Sequence, residues 1–580
     1  TSIKHFLANN QETRRLSSDS RVDERTLHEI YLAAFEGAVT KEKPWTVMCS
    51  YNRINGTYAA ENHKYLTEVL RDQWKFDGYV MSDWGAVNNR VADLKAGLDL
   101  EMPASGGTND ELIVRAVQSG ALEESVVDMA VERILNIVFR YEEHRDKTAV
   151  FDRDKDHELA RKVAQETIVL LKNEGVLPLE EKKQIAFIGK YVKKPRYQGG
   201  GSSHINSHKV TAAWDVIKDM PNISYAQGFV DDKDQTDEAL LEEAVQTAAK
   251  ADVAVIFAGL PDSFESEGYD RTHMRMPDCQ NELIAKVAAV QPNTIVVLHN
   301  GSPVEMPWAD QVKGIVEAYL GGQAVGGAVC DILFGKVNPS GRLPETFPKK
   351  LEDNPSYLSY IGEGDMVEYR EGIFVGYRYY DKKKMDVLFP FGYGLSYTAF
   401  DYSNLRVDKK KFKDTDTVTV TVDVTNTGKM AGKEVVQLYV ADKESTVIRP
   451  EKELRDFAKV ELMPGETKTV SFTLGKRAFA YYNTTIHDWH VETGEFVIQI
   501  GRSSRDIVLQ ETVTVESTVK IPFVYTTDTT LGDVMKNPKA YEIVKSLFEK
   551  SMFDTDSAEE RGEASSEAIS DDMNEAMLIY

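Results

Sequence analysis

Residues 417–424 run Thr-Val-Thr-Val-Thr-Val-Asp-Val, which puts the valines on one face of an extended chain and the polar side chains on the other. A helix of about 3.6 residues per turn would scatter those valines around its circumference, so only an antiparallel, half-buried strand sorts them. Similar alternation recurs at 435–440, 467–474 and 495–500, punctuated by Asn426-Thr427-Gly428 and Pro464-Gly465. A β-sandwich of about 100 residues is expected.

Upstream the alternation disappears. Residues 185–188, 253–258, 294–298 and 314–320 are apolar on both faces, as strands covered by helices on two sides must be. Helical patterns at 159–172, 237–251, 280–290 and 326–334 separate them, which predicts a doubly wound α/β sandwich over 157–345. Residues 1–148 show shorter strands at 45–51 and 79–81 between helical patterns at 24–39, 65–73 and 128–141. The last carries Ala130, Ile134, Ile137 and Val138 on one face. Parallel βα units are expected there, ending in a charged boundary stretch, 142–156.

A connector rich in Pro, Gly and Tyr, 346–397, leads to the β-sandwich at 398–510. The remainder, 511–580, reads as a linker, a short helical stretch at 539–549 and an acidic tail, 554–574, whose composition predicts disorder.

With 580 residues, 42% of them hydrophobic, the chain can bury several cores, so three domains and a tail are expected. A formal charge of -24 repels phosphate backbones and anionic headgroups, which excludes nucleic acid and favours a neutral or cationic ligand. Cys49, Cys279 and Cys330 are too far apart in sequence for a disulfide framework or a zinc site and read as buried thiols. The sequence contains no run of about 18 apolar residues, the length a bilayer-spanning helix needs. With no secretory signal in the chain, a cytoplasmic protein is expected, with self-association left open.

Two carboxylate sites carry potential chemistry. Asp83 follows the strand-like Tyr79-Val80-Met81 and precedes Trp84-Gly85, which places it at the C-terminal end of a parallel strand, where barrel enzymes hold their reacting groups. An Asp there serves equally well as cap of the next helix. The loop after 253–258 reads Pro261-Asp262-Ser263-Phe264-Glu265-Ser266-Glu267-Gly268-Tyr269-Asp270-Arg271, either an ordinary solvated charge run or the source of a second carboxyl. Retaining glycoside hydrolysis needs two carboxyls about 5–5.5 Å apart.

The run Leu70-Arg71-Asp72-Gln73-Trp74-Lys75-Phe76-Asp77-Gly78-Tyr79-Val80-Met81-Ser82-Asp83-Trp84 closely resembles the active-site signature of glycoside hydrolase family 3, the β-glucosidase type. Other matching stretches are Ile3-Lys4-His5-Phe6, Met48-Cys49-Ser50-Tyr51-Asn52, Gly199-Gly200-Gly201-Ser202-Ser203, Asn338-Pro339-Ser340-Gly341-Arg342-Leu343-Pro344 and Phe391-Gly392-Tyr393-Gly394-Leu395-Ser396-Tyr397. The resemblance, spanning residues 1 to about 510, implies the C-terminal part of a (β/α)8 barrel at 1–148, the α/β sandwich, and a fibronectin type III-like domain.

It also implies roles. Asp83 becomes the nucleophile and Glu267 the acid/base, with Glu265 its competitor. Lys4 and His5 hold sugar hydroxyls, Arg15 stands behind them, Tyr51 lies near the nucleophile, Trp84 forms an apolar wall, and Ser202 contacts substrate. No metal or organic cofactor is implied. Glucose is the expected sugar, with xylosidase or arabinofuranosidase action as rivals and a catalytically dead carbohydrate-binding module as the reading from another class. Family members carry about half a barrel before the Lys-His pair, so an N-terminally incomplete chain is expected.

Overall fold

The computed structural model describes residues 1–230 and 234–553, the side chains of 548–553 excepted. It divides into two units, Thr1–Thr518 and Val519–Tyr580. The acidic tail at 554–574 lies outside the described residues.

In the first unit the strands Ser2–Phe6, Thr46–Cys49 and Tyr79–Met81 form a parallel sheet in chain order, and Leu100 bridges in parallel to Met81. Each strand is short because only Phe6, Val47, Cys49 and Val80 point into the core, where Leu66, Val69 and Leu70 of the following helix meet them. The helix expected at 128–141 runs longer, Glu124–His144, burying Ala130 and Ile137 while Val138 stays exposed.

The second sheet has six strands, five of them parallel in the order Gly314–Glu317, Thr294–His299, Val253–Gly259, Ile185–Ile188, Ile223–Ala226. All seven residues of Val253–Gly259 are buried, the consequence of helices on both faces. The order reverses between Ile185–Ile188 and Val253–Gly259, and their C-terminal ends open the crevice where doubly wound sheets hold ligands.

Two expectations need correction here. The helix predicted at 159–172 is Arg153–Thr167 and stops short. Beyond it, Val169–Asn173 is a strand, antiparallel to Gly314–Glu317, because the apolar run from Ile168 to Leu171 is buried on both faces. The strand predicted at 314–320 ends at Glu317. Ile223–Ala226 escaped notice because an edge strand needs less apolar surface.

The β-sandwich pairs a three-stranded sheet, Phe400–Val407, Val418–Asn426 and Thr467–Leu474, with a five-stranded one built around Gly432–Asp442 and Gly494–Ser503. Val418, Val420, Val422 and Val424 are fully buried, as their period required. The connector does more than connect: its strand Met366–Glu368 pairs in parallel with Asp19–Arg21 of the first domain. In the second unit, Leu531–Met535 and Pro538–Phe553 are helical.

Candidate active site

Asp83 leaves the Tyr79–Met81 strand with 8% of its surface exposed. The preceding residues of the signature fix that position. Ser82 Oγ donates to Met102 O (3.1 Å) and accepts from Met102 N (2.8 Å), stapling the strand end to the next segment. Below it, buried Asp99 Oδ2 accepts from Val80 N (2.8 Å) and pairs with Arg71 Nη2 (2.5 Å), whose Nη1 reaches Gly78 O (2.9 Å). A charge-assisted pair with every arm bonded to the strand resists displacement of the carboxylate above it.

Asp83 is not a helix cap. The next helix, Arg90–Ala96, is capped by Asn89, whose side chain accepts from Ala92 N. Asp83 Oδ1 accepts from Trp84 N (2.8 Å), and Oδ2 faces His5 Nε2 at 3.3 Å. Burial pushes His5 below its ordinary value against the pull of Asp83, so near neutrality the imidazole is uncharged. Tyr51 Oη donates to Trp84 O (3.1 Å), and its phenol is raised to about 12 by burial and by Asp83. Trp84 is 51% exposed, a half-open wall beside Asp83. Lys4 is exposed in the same strand as His5.

The second carboxylate arrives from the loop after Val253–Gly259, at the switch point. Glu267 Oε1 accepts from Arg15 Nη1 (2.9 Å), and Glu267 Oε2 accepts from Ser202 N (2.5 Å). Arg15 lies over the Tyr51 ring, 5.1 Å from its centroid, so Tyr51 and Arg15 link the surroundings of Asp83 to Glu267. Hydrogen bonds from Ser202, reinforced by Arg15, bring the Glu267 carboxyl down to about 2.

Glu265 is placed otherwise. Its carboxylate takes Arg196 Nη1 (2.6 Å), Gly301 N (2.8 Å) and the Ser302 hydroxyl, all within its own domain. Burial opposes its ionisation, and these donors overcome it and hold the carboxyl below its usual range. Glu265 therefore anchors the loop, and Glu267 is the carboxylate it presents.

The triple glycine explains itself at this point. Gly201 has φ +84°, and a Cβ there would collide with the Glu267 side chain, while one on Gly200 would strike Ser266. This stretch, with Ser202, is the cradle of Glu267. Ser202 reaches that carboxylate through its backbone, a contact not foreseen from sequence.

Three further residues were missed. Asp270 accepts from Glu12 N (2.9 Å), Thr13 N (2.7 Å), Thr13 Oγ1 (2.6 Å) and Tyr360 Oη (2.6 Å), clasping together barrel loop, the Glu267 loop and connector. Glu12 Oε2 adds bonds to Gly268 N (3.1 Å) and Arg15. Buried Arg196 binds Glu265 twice and Asp262 once. Asp270 stood within the Gly-Tyr-Asp-Arg run, but nothing local says that its partners lie 90 to 258 positions away.

Residues 1–137 match the model of the glycosyl hydrolase family 3 N-terminal domain, and 168–397 that of the glycosyl hydrolase family 3 C-terminal domain. The chain belongs to glycoside hydrolase family 3. A fibronectin type III-like domain model matches 434–504, so the family's three-part architecture is present. Among relatives, thermostable β-glucosidase B of Acetivibrio thermocellus is 59% identical over 547 residues, covering 93% of this chain and 72% of that protein. The exo-α-(1→6)-L-arabinopyranosidase of Bifidobacterium breve is 46% identical, covering 89% of this chain and 69% of that one. The crystal structure of the Bifidobacterium adolescentis family 3 β-glucosidase superposes with a TM-score of 0.89 at 44% identity, covering 94% of this chain and 80% of that one.

Proposed function

We propose that this family 3 enzyme releases terminal β-D-glucose from β-glucosides with retention, Asp83 serving as nucleophile and Glu267 as acid/base. What supports the reading most is the convergence of two carboxylates from different domains on one Arg15–Tyr51–His5 cluster. Asp83 attacks the anomeric carbon while Glu267 protonates the departing glycosidic oxygen, and Glu267 then takes a proton from the water that hydrolyses the glycosyl-enzyme.

With its carboxyl near 2, Glu267 rests ionised, the form needed for the second step. For the first step it must hold a proton, so entry of the leaving group has to weaken the Ser202 and Arg15 contacts. Lys4, His5 and Trp84 bind the sugar.

The arabinopyranosidase relatives support a second reading, an α-L-arabinopyranosidase on the same machinery. Nitrophenyl β-D-glucoside, β-D-xyloside and α-L-arabinopyranoside, compared by kcat/KM, separate the cases. Fastest turnover of the glucoside supports the proposal, fastest turnover of the arabinopyranoside supports the second reading, and binding without turnover would leave only a carbohydrate-binding module. A cytoplasmic location is also proposed, supported by three buried, unpaired cysteines.

A further inference from the structure

The loop that carries Glu267 has two feet, Glu265 and Arg271, and both stand on one turn of the neighbouring strand, residues 300–303 after Thr294–His299. On one foot, Gly301 N donates to Glu265 Oε2 (2.8 Å), and a Cβ on Gly301 would crowd that carboxylate at 3.1 Å. On the other, Arg271 Nη1 donates to Pro303 O (3.1 Å).

Ser302 joins the feet. Its hydroxyl donates to Glu265 Oε1 and accepts from Arg271 Nη1 (2.7 Å). A hydroxyl holds one proton and two lone pairs, so it serves a carboxylate and a guanidinium at once, which a methyl cannot do and a thiol does only weakly. Both bonds are charge-assisted, the stronger kind. The turn is itself held from below: Asn300 Nδ2 donates to Ser302 O (3.0 Å) and to Glu317 Oε2 (3.0 Å), and Glu317 Oε1 accepts from Tyr319 N (2.8 Å). Asn300 and Glu317 are fully buried, so the hydroxyl sits on a fixed base.

We infer that Ser302 is a positioning residue for Glu267, tying together the two ends of its loop, an inference that rests on the acid/base reading of Glu267. Arg15 and Asp270 hold the loop to the barrel, and Ser302 holds it to its own sheet. Between the feet Gly268, at φ +101°, has no side chain to pack, so the stiffness of the loop comes from these ties.

Kinetics and hydrogen exchange on the whole chain test this. Ser302→Ala should lower kcat/KM on an alkyl glucoside about tenfold with the pH profile unmoved, because Glu267 keeps Ser202 and Arg15 and only its placement changes. Ser302→Thr keeps the hydroxyl and should stay within about twofold of the wild type. Amide exchange in the 262–271 peptide should rise about tenfold in Ser302→Ala and return in Ser302→Thr, while the Val253–Gly259 strand exchanges as in the wild type. If Ser302→Ala does not fold, Ser302→Cys, which keeps the volume, carries the same expectation. Wild-type activity in the Ala or Cys variant, no rescue by Thr, or exchange that rises throughout the sheet overturns the inference. The acid/base reading fails by a different result, normal turnover of alkyl glucosides by Glu267→Gln, which overturns both. A normal Ser302→Ala beside a crippled Glu267→Gln refutes the positioning role alone.

Discussion

Arg15 Nη1 donates to Glu267 Oε1 at 2.9 Å across 252 residues of sequence, joining a barrel loop to a loop of another domain. The same nitrogen binds Glu12 Oε2 at 2.9 Å, so one guanidinium sets both the position of Glu267 and, in part, its ionisation.

Arg15→Met removes a charge that favours the carboxylate, so the Glu267 carboxyl rises. The alkaline limb of the kcat/KM profile, where the acid loses its proton, should move upward by about one pH unit. A profile with an unmoved limb contradicts the role given to this pair.

Glu267→Gln and Glu265→Gln should differ in kind. Without its acid, the Glu267 variant loses about 10²–10⁴-fold on alkyl glucosides but little on dinitrophenyl glucoside, whose leaving group needs no proton. Loss in the Glu265 variant should be independent of the leaving group and accompanied by lower thermal stability, because Arg196 is left buried beside an uncharged partner. Identical leaving-group behaviour in both would undo the assignment.

Asp270→Ala frees the loop from Thr13, Glu12 and Tyr360 together. Misplacing an acid by about 1 Å costs about a hundredfold, so kcat/KM should fall by that order while both limbs of the pH profile keep their positions. Near-normal kcat/KM in this variant speaks against the clasp.

Acid stability depends on Glu453, buried where the β-sandwich meets the connector. Burial would raise its carboxyl, but Arg455, Arg378 and Arg449 outweigh burial and bring it from 4.5 to about 2. A depressed carboxyl stabilises the fold above its unfolded value and loses that contribution as pH falls from about 4.5 toward 2. Glu453→Gln should therefore cost about 3–5 kcal/mol at pH 7 and flatten the decline of Tm in that acid window. A decline as steep as the wild type's would contradict the arrangement.

How much of this was legible in the sequence follows from the range of the interactions. Period-two valines and both-face apolar strands are local signals, and the sheets they predicted are present. The strand Val169–Asn173 was hidden because the helix Arg153–Thr167 runs directly into it with no turn residue between. Asp83 could be located because its signature is contiguous, and Arg71 and Ser82 within that run hold the strand that carries it. Glu265 and Glu267, two positions apart, looked alike until their partners at Arg196 and Arg15 separated them. The partners of Asp270 lie on distant segments, which no local pattern encodes.

Attack of Asp83 on the sugar, as proposed, leaves a covalent glycosyl ester on that residue. Incubation with 2,4-dinitrophenyl 2-deoxy-2-fluoro-β-D-glucoside, whose fluorine slows release of the intermediate, followed by peptide mass spectrometry, locates the attacking residue directly. A fluoroglucosyl ester is expected on Asp83, absent in Asp83→Asn. An ester on another carboxylate, or full turnover with no trapped intermediate and with inverted product, would contradict it.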